Sequence, residues 1–440
     1  MKLGIDSTSN ALYSTAGIVL AGKIFEKYGL SSQQSSLIPK NMQQVLAILC
    51  GLYVQGRTSY AEAEQVRHDQ LFHRALNLPS GYAPETIRLY LERLAAGFSD
   101  AARNFLDQVN QNLLADAQLT PVHCRFGSYI PVDIDVSPLD NSKSKKEGVG
   151  RTYKGHDGYA PIFSYIGAEG YMLDCELRPG KQHCQNQTPE YLERTLKKLS
   201  DLPLEHPVLL RLDSGNDAFA TLKVLMKSPH FFLVKRNLRR ESPLRWLEIA
   251  CAMGSCSTPR EGKRVYSGVL TALHPQAPQD EELPQLDQVY RVTVRTIDRH
   301  GVPYLIPDVE AEVYWTNLYE DPDTIIDLYH DHGSSEQFHS ELKSDMNVER
   351  LSSGKLAVNS LLLHIARIAF NTLRLIGQSA LHYREKLPYR HKGKRKRLRK
   401  VIDDLIRISC KAVRHAGKWI IKIWSQDPWY DAFLSVYLRL

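Results

Sequence analysis

The chain has 440 residues, of which 43% are hydrophobic and 24% are charged, so it is neither globally disordered nor collagen-like, and its length suggests about three domains. The formal net charge is +7, and residues 384–400 hold ten Lys and Arg against one acid, whereas the rest of the chain has 46 basic and 48 acidic residues. Such a segment suits a polyanion such as nucleic acid, with a solvated basic loop as the alternative.

Residues 1–124 are predicted to form a helical N-terminal domain. Met42–Leu52 and Thr86–Phe98 carry apolar residues at spacings of three and four, and Ser99–Leu114 is predicted to be a further helix. Ser80-Gly81 and Pro84 separate these segments.

From about Gly127 the pattern changes to that of an α/β domain, which we assign to residues 125–239. The first three predicted strands favour an antiparallel meander, and the later ones favour crossover units. In chain order the predicted elements are the strands Tyr129–Val136, Ala160–Ile166 and Met172–Leu177, the helix Thr188–Leu199, the strand Val208–Leu212, the helix Asp217–Met226 and the strand Phe231–Val234.

Residues 240–319 are predicted to be a β-rich insertion. Arg264–Leu273, Gln288–Ile297 and Ala311–Trp315 have the composition of strands, and a Pro-rich polar stretch, His274–Asp287, separates the first two. Helical patterning returns in residues 320–380, which we assign to a second part of the α/β domain. Residues 381–440 are predicted to be a basic helical region, with an amphipathic helix over Leu398–Ser425.

Neither the cysteines nor the apolar segments indicate secretion or a membrane. The seven cysteines are odd in number and scattered, so no disulfide framework is expected. Cys251 and Cys256 stand five apart without a second Cys/His pair, which makes a zinc site improbable. The most apolar N-terminal run, Ala16 to Ala21, is far shorter than the roughly 18 residues of a membrane span. We expect a cytoplasmic protein that binds no membrane.

Acidic residues stand at three places where a site can assemble. Asp133 and Asp135 are two apart on one strand, so their side chains leave the same face. Asp213 ends a later strand, and functional groups gather at strand carboxyl ends in open α/β sheets. A turn-forming role for Asp213, before Ser214-Gly215, is the alternative. The third acid is Glu336, in the helical region that follows the insertion.

The segment around Glu336 carries a polar stripe. Tyr329, His332, Glu336 and Lys343 lie at offsets 0, 3, 7 and 14, which at about 100° per residue places all four within a stripe about 60° wide. A solvated helix face is the alternative. Because Glu336 and Lys343 are two turns apart and do not pair, they fit separate tasks better, the carboxylate on a metal and the ammonium on a phosphate.

Three carboxylates from two strands and a helix form a hard oxygen site, which suits Mg²⁺ or Mn²⁺. Two such ions about 3.5–4 Å apart clamp the attacking and leaving oxygens of an in-line phosphoryl displacement. The sequence has neither a P-loop nor a Gly-rich dinucleotide fingerprint, so nucleotide hydrolysis and hydride transfer are disfavoured.

These residues resemble the DDE transposases of bacterial insertion sequences. The helix motif of that family is Tyr, two residues, Arg, three residues, Glu, six residues, Lys; it stands here as Tyr329, His332, Glu336 and Lys343, with His332 in the Arg position. The resemblance covers about residues 125–425. It also includes Asp135-Val136-Ser137, Leu177-Arg178-Pro179-Gly180, Arg211-Leu212-Asp213-Ser214-Gly215, Tyr314-Trp315-Thr316-Asn317-Leu318 and Ala369-Phe370-Asn371.

The resemblance implies a mixed α/β fold: a ribonuclease H-like catalytic core with a β-rich insertion and a helical basic C-terminal region. Outside the residues that carry the resemblance, the helical N-terminal domain is expected to bind the DNA ends, with a generic helical packing unit as the alternative. It implies that Asp135, Asp213 and Glu336 hold two Mg²⁺ or Mn²⁺ ions, with Asp133 as the fallback for the first position. Contacts to DNA are expected from Tyr329, His332 and Lys343 in the motif, from Arg211 and Lys154 by charge and placement, and from Lys394, Arg395, Lys396 and Arg397 in the basic segment.

The implied function is cut-and-paste transposition. The protein would bind the terminal inverted repeats of its element as double-stranded DNA, cleave the strands and join the freed ends to target DNA, as a homodimer or larger assembly associated with the bacterial nucleoid. Two alternatives stay open: a catalytically silent DNA-binding regulator derived from a transposase, which the departure at His332 favours slightly, and a stand-alone nuclease with the same metal site.

Overall fold

The computed structural model describes residues 11–31, 35–278 and 285–440. Part of the Pro-rich stretch predicted at His274–Asp287 therefore lies outside the described residues. The α-helices are α1 Ile18–Lys27, α2 Lys40–Val54, α3 Ala63–Val66, α4 Gln70–Ala75, α5 Pro84–Gly97, α6 Ser99–Ala115, α7 Thr188–Ser200, α8 Phe219–Lys227, α9 Pro243–Met253, α10 Pro322–His330, α11 Ser334–Ser340, α12 Leu356–His382, α13 Leu398–Val401 and α14 Tyr430–Arg439.

The strands form three sheets within the described residues. They are β1 Leu12–Tyr13, β2 Val122–His123, β3 Ser128–Val136, β4 Leu139–Asp140, β5 Gly150–Arg151, β6 Asp157–Tyr159, β7 Ile162–Ile166, β8 Tyr171–Glu176, β9 Val208–Leu212, β10 Phe231–Lys235, β11 Ser255–Arg260, β12 Lys263–Ala272, β13 Leu286–Ile297, β14 Pro303–Thr316, β15 Cys410–His415 and β16 Lys418–Ile423.

The central sheet has the strand order of a ribonuclease H-like core. Its core strands run β8-β7-β3-β9-β10. β3 pairs antiparallel with β7, and β7 with β8, whereas β9 lies parallel to β3 and β10 parallel to β9. The first three strands are the predicted meander, and α7 and α8 make the crossovers that parallel strands require. The predicted mixed α/β fold with this core is confirmed.

The insertion strands continue the same sheet. β14 pairs antiparallel with β10, and β13, β12 and β11 follow outward in order. One hydrophobic cluster packs α9, which lies within residues 240–319, against the insertion strands through Trp246, Tyr290 and Val313. Because the strands are shared in this way, the domain boundaries at residues 240 and 319 stay predictions from the sequence.

A long buried helix organises the centre of the molecule. α12 packs against α2, α6 and β8, and its residues are almost all buried. By length and composition α12 could cross a membrane, a feature that the sequence reading did not single out. In the structure, 83% of its most apolar window is buried inside the protein.

The helix predicted over Leu398–Ser425 is wrong beyond Ile406. α13 continues as a π-helical turn to Ile406, and the chain then forms the hairpin β15–β16, whose first strand also pairs with β1. Ala416 and Gly417 have φ of 47° and 78°, the left-handed backbone that a two-residue hairpin turn of type I′ requires. The β-branched residues that follow favour a strand, which the apolar spacing alone did not indicate.

Candidate active site

A cleft of about 940 Å³ opens where β3 and β9 end, beside the helical segment of residues 322–345. Catalytic groups of open α/β sheets gather at such strand ends. The cleft brings together seven of the residues predicted from sequence: Asp135, Lys154, Asp213, Tyr329, His332, Glu336 and Lys343.

Two carboxylates lie side by side at the strand ends. Ile134 and Leu212 are register partners in the parallel pair β3–β9, so Asp135 and Asp213 are the next residues along each strand. Burial raises the pKa of Asp213 to about 6, and repulsion from Asp135 adds to this rise. Two half-buried carboxylates that repel each other in this way fit a site built to receive a cation.

Glu336 faces the same cleft from α11. The residue is exposed, and it lines both this cleft and a second one of about 500 Å³. Within the described part of the chain, no ion pair occupies its carboxylate. Glu336 is therefore free to serve as the third oxygen ligand.

The polar stripe does not lie on one regular helix. α10 ends at His330, a 3₁₀ turn spans Asp331–Gly333, α11 follows, and residues Glu341–Asp345 are π-helical. The four motif residues nevertheless line one cleft. Burial raises the pKa of Tyr329, and the carboxylates of Asp213 and Asp135 raise it further, so its hydroxyl stays protonated and can donate to a phosphate oxygen.

Asp133 does not serve as a metal ligand in the cleft, so the fallback assignment is wrong. The Asp133 side chain is buried, and Nε and Nη2 of Arg211 donate to its two oxygens at 2.6 and 2.9 Å. His332 Nδ1 lies 2.8 Å from Oδ1 of the same carboxylate. Asp133 shares a strand face with Asp135 but lies one step before the strand end, opposite Arg211.

Arg211 is enclosed by the protein, which argues against the DNA contact predicted for it. It is 2% exposed, and besides Asp133 its guanidinium donates to the carbonyl oxygen of Leu328 at 2.6 Å. Its charge is neutralised inside the protein, where it ties β9 and β3 to the end of α10.

His332, the departure from the motif, is held by this buried ion pair. Because Asp133 engages Nδ1, only Nε2 of the ring is left for a ligand in the cleft. The ring also lies against Tyr329, with 5.5 Å between centroids. An Arg in this position would offer a long bidentate fork, whereas the imidazole offers one fixed nitrogen.

Lys343 binds the end of β3. Its Nζ donates to Ser137 Oγ at 2.6 Å and to the carbonyl oxygen of Pro138 at 2.7 Å. Burial, and next the nearby charge of Lys154, lower the pKa of Lys343 to about 8. The ammonium is thus positioned beside Asp135 rather than left free in solvent.

The sequence reading missed His339, which orients Asp135. His339 Nε2 lies 3.2 Å from Oδ2 of Asp135, and Nδ1 lies 3.2 Å from the hydroxyl of Tyr165. Burial lowers the pKa of His339, so the ring is neutral and donates to Asp135 while Tyr165 donates to it. The spacing of three residues from Glu336 was a weak signal for His339, whereas nothing local pointed to Tyr165.

The model of the family described as transposase DDE domain group 1 matches residues 2–440. The chain belongs to the DDE transposases. No curated protein matches the transposase. Among solved structures, the cryo-EM structure of a piggyBac transposase synaptic complex with hairpin DNA matches with a TM-score of 0.42 and 11% identity, over 90% of this chain and 80% of that chain.

DDE transposases use divalent metal ions, and the cleft of this transposase fits them. Asp135, Asp213 and Glu336 offer only carboxylate oxygens, the ligands that Mg²⁺ and Mn²⁺ prefer. Burial is the main cause of the raised pKa of Asp213, and the negative charge of Asp135 is the second cause.

A second acidic cluster in the transposase is a poor metal site. Ligand atoms of Asp107, Asp174 and His364 lie within 4.8 Å of one another. Arg367 and Lys198 already pair with both carboxylates at 2.5–3.2 Å. These cations neutralise the cluster, which joins α6 and β8 to α12 and shares no residue with the cleft.

The basic segment is only partly available to DNA. Lys394 is exposed beside the second cleft. Lys396 is 1% exposed, pairs with Asp404 at 2.8 Å and lies 4.2 Å from the ring centroid of Trp429, so its predicted DNA contact is wrong.

Two arginines of the basic segment hold the helical segment that carries Glu336. Arg395 donates to Gln337 at 2.5 Å and lies 4.6 Å from the ring centroid of Phe338. Arg397 pairs with Asp345 at 2.8 Å, although 56% of its side chain is exposed. Whether Arg395 and Arg397 also contact DNA stays a prediction.

Proposed function

We propose that this DDE transposase binds double-stranded DNA at the ends of a mobile element and catalyses metal-dependent strand cleavage and strand transfer. The observation that carries the proposal is the convergence of Asp135, Asp213 and Glu336 on one open cleft. Strand ends deliver two of these carboxylates and a helix delivers the third, so the three come from distant parts of the sequence.

Asp135, Asp213 and Glu336 would hold two Mg²⁺ or Mn²⁺ ions. When bound, such ions supply Lewis-acid activation of the attacking oxygen and stabilise the leaving oxygen at the phosphate. The chain itself orients these ligands: the Asp135 carboxylate accepts a hydrogen bond from His339, and the Asp213 carboxylate accepts one from Asn216 at 2.6 Å.

The other residues of the cleft would position the scissile phosphate. Tyr329 and Lys343 offer a hydroxyl and an ammonium, His332 offers a ring nitrogen, and Lys154 adds a positive charge at the rim. Positioning and charge neutralisation are the main contributions that a protein makes to phosphoryl transfer.

The DNA would leave the cleft toward the basic segment. The second cleft shares Gly333, Glu336 and Ser340 with the first, and Lys394 lines its far side. We propose that the duplex follows this path and that two or more copies of the protein bring paired inverted repeats of an insertion sequence together.

A catalytically silent regulator is the second candidate, because His332 replaces the motif Arg. The excision test uses a plasmid that carries the gene with its flanking DNA, incubated with purified protein and Mg²⁺ and then sequenced. Excision at paired inverted repeats with strand joining is expected. Binding without cleavage in Mg²⁺ and in Mn²⁺ would favour the regulator, and cleavage without joining would favour a nuclease.

A further inference from the structure

The hairpin β15–β16 presents a basic face that the proposed active site does not use. Residues 410–424 contain three Lys, one Arg and no acidic residue. Cross-strand partners share a face. The pairs that form this face are Leu12 with Lys411, Lys411 with Lys422, Val413 with Ile420, and His415 with Lys418.

The opposite face of the hairpin fixes its orientation. Cys410 and Ala412 are buried, and Ile421 and Ile423 pack against the main core. Trp419 lies 5.8 Å from the guanidinium of Arg74. The face with the lysines therefore looks outward, where Lys418 and Lys422 are exposed, Ile420 is 40% exposed and Leu12 is 65% exposed.

The positive charge of this face is not compensated by the protein. Within residues 11–31, 35–278 and 285–440, no ion pair engages Lys411, Lys418 or Lys422, and two of these lysines stand directly opposite each other. Like charges in opposed positions destabilise a sheet. The basic segment is different, because Lys396 and Arg397 are paired with Asp404 and Asp345.

We propose that this outward face of the hairpin is a second contact surface for double-stranded DNA. A two-stranded β-ribbon fits the major groove, which is about 12 Å wide. The lysine ammonium groups would contact phosphates, and the aliphatic side chains of Val413 and Ile420 would lie between them. The inference rests on the proposed function, since it assumes that the protein binds duplex DNA, and it adds a surface outside the catalytic cleft.

The test measures binding of a fluorescent 30-base-pair duplex of arbitrary sequence, in EDTA so that cleavage does not intervene, over a series of salt concentrations. The hairpin variant is Lys418→Ala with Lys422→Ala. The control is Lys197→Ala with Lys227→Ala, which removes the same charge from exposed positions on α7 and α8. All four lysines are exposed, so neither variant should melt below the wild-type temperature, and relief of the repulsion between Lys411 and Lys422 favours a small increase in the hairpin variant.

Loss of two phosphate contacts should reduce the slope of log K against log salt by about 1.8 and weaken binding at least about fivefold, while the control stays at wild type. Lys418→Glu with Lys422→Glu should weaken binding further. Equal slopes and affinities for the hairpin variant and the control would overturn the inference and leave the proposed function intact.

Failure of the wild-type protein to bind this duplex would overturn the inference, and failure to bind a duplex of the element end as well would overturn the proposed function. Vesicles of phosphatidylglycerol and phosphatidylcholine supply the other polyanionic surface. If the hairpin variant loses binding only to those vesicles and binds DNA as the wild-type protein does, the assignment of DNA as the partner would be overturned.

Discussion

Two aspartates on one strand face have opposite environments in this transposase. Asp133 is enclosed by Arg211 and His332, whereas Asp135 reaches the cleft and repels Asp213. The difference arises because Asp135 lies near the strand end and Asp133 lies two residues earlier on the same face, opposite Arg211. A carboxylate whose two oxygens are both paired inside the protein is not available to a metal, whereas one that reaches the cleft is available to a cation.

The buried pair of Asp133 and Arg211 gives a stability prediction. Arg211→Met should lower the free energy of unfolding by about 3 kcal/mol or more, because it leaves a buried carboxylate with His332 as its remaining side-chain partner. Urea unfolding followed by circular dichroism measures the loss. Arg299→Met, at an exposed position, is the control. An equal and small effect of both substitutions would contradict a stabilising role for the pair of Arg211 and Asp133.

Lys343 gives a prediction about pH. Its pKa in the free protein is lowered to about 8, so the ammonium is charged below pH 8 and loses its proton as the pH rises further. Affinity for duplex DNA should therefore fall by up to about tenfold per pH unit above pH 8, since binding must then take up one proton. Lys343→Arg, which stays charged, should remove this fall in DNA affinity above pH 8. The same pH profile in the variant would show that Lys343 does not contact phosphate.

At the scale of elements, some cations of the basic segment hold the protein together and others are exposed to a ligand. Composition alone does not distinguish these two roles. Residues 384–400 carry all of the excess positive charge of the chain, but Lys396 is buried, and Arg395 and Arg397 hold the segment that carries Glu336. Lys394 alone among the four predicted DNA contacts of this segment is exposed without an ion pair in the described part of the chain.

Lys396 and Lys394 should therefore respond differently to substitution. Lys396→Met should lower the free energy of unfolding by about 2 kcal/mol, because Asp404 loses its ion-pair partner and, among the described residues, keeps only the hydroxyl of Tyr389, and should leave the salt slope of DNA binding unchanged. Lys394→Ala should reduce that slope by about 0.9 without affecting stability. Thermal melting measures the stability of each variant, and a salt series measures its salt slope. A destabilised Lys394→Ala together with a reduced salt slope in Lys396→Met would contradict these roles.

At the scale of the whole molecule, the sequence predicted the core strands and the cleft residues well, because strand ends and motif spacing are local signals. It could not predict that Asp133 and Arg211 pair, that Tyr165 supports His339, or that Lys396 is buried, since each depends on partners distant in the chain. The C-terminal hairpin was missed because a few apolar residues at helical spacing outweighed the Ala416-Gly417 turn.

For the whole molecule we predict that several copies of the protein assemble on DNA. Cleavage and joining at paired ends need two active sites, so we expect a dimer or larger complex when a duplex of the element end is added in Ca²⁺, which is used to hold the DNA without cleavage. Light scattering after size-exclusion chromatography measures the mass. A complex of one protein and one duplex at all concentrations would contradict paired-end synapsis.

The most direct test of the active site is single-turnover cleavage of a labelled duplex of the element end by the wild-type protein and by Asp213→Asn. The amide keeps the size of the side chain and removes the negative charge needed for the metal. We expect the variant to bind the duplex within about twofold of wild type in EDTA and to cleave it at least about a thousandfold more slowly in Mg²⁺. Cleavage by the variant at the wild-type rate would contradict the assignment of Asp135, Asp213 and Glu336.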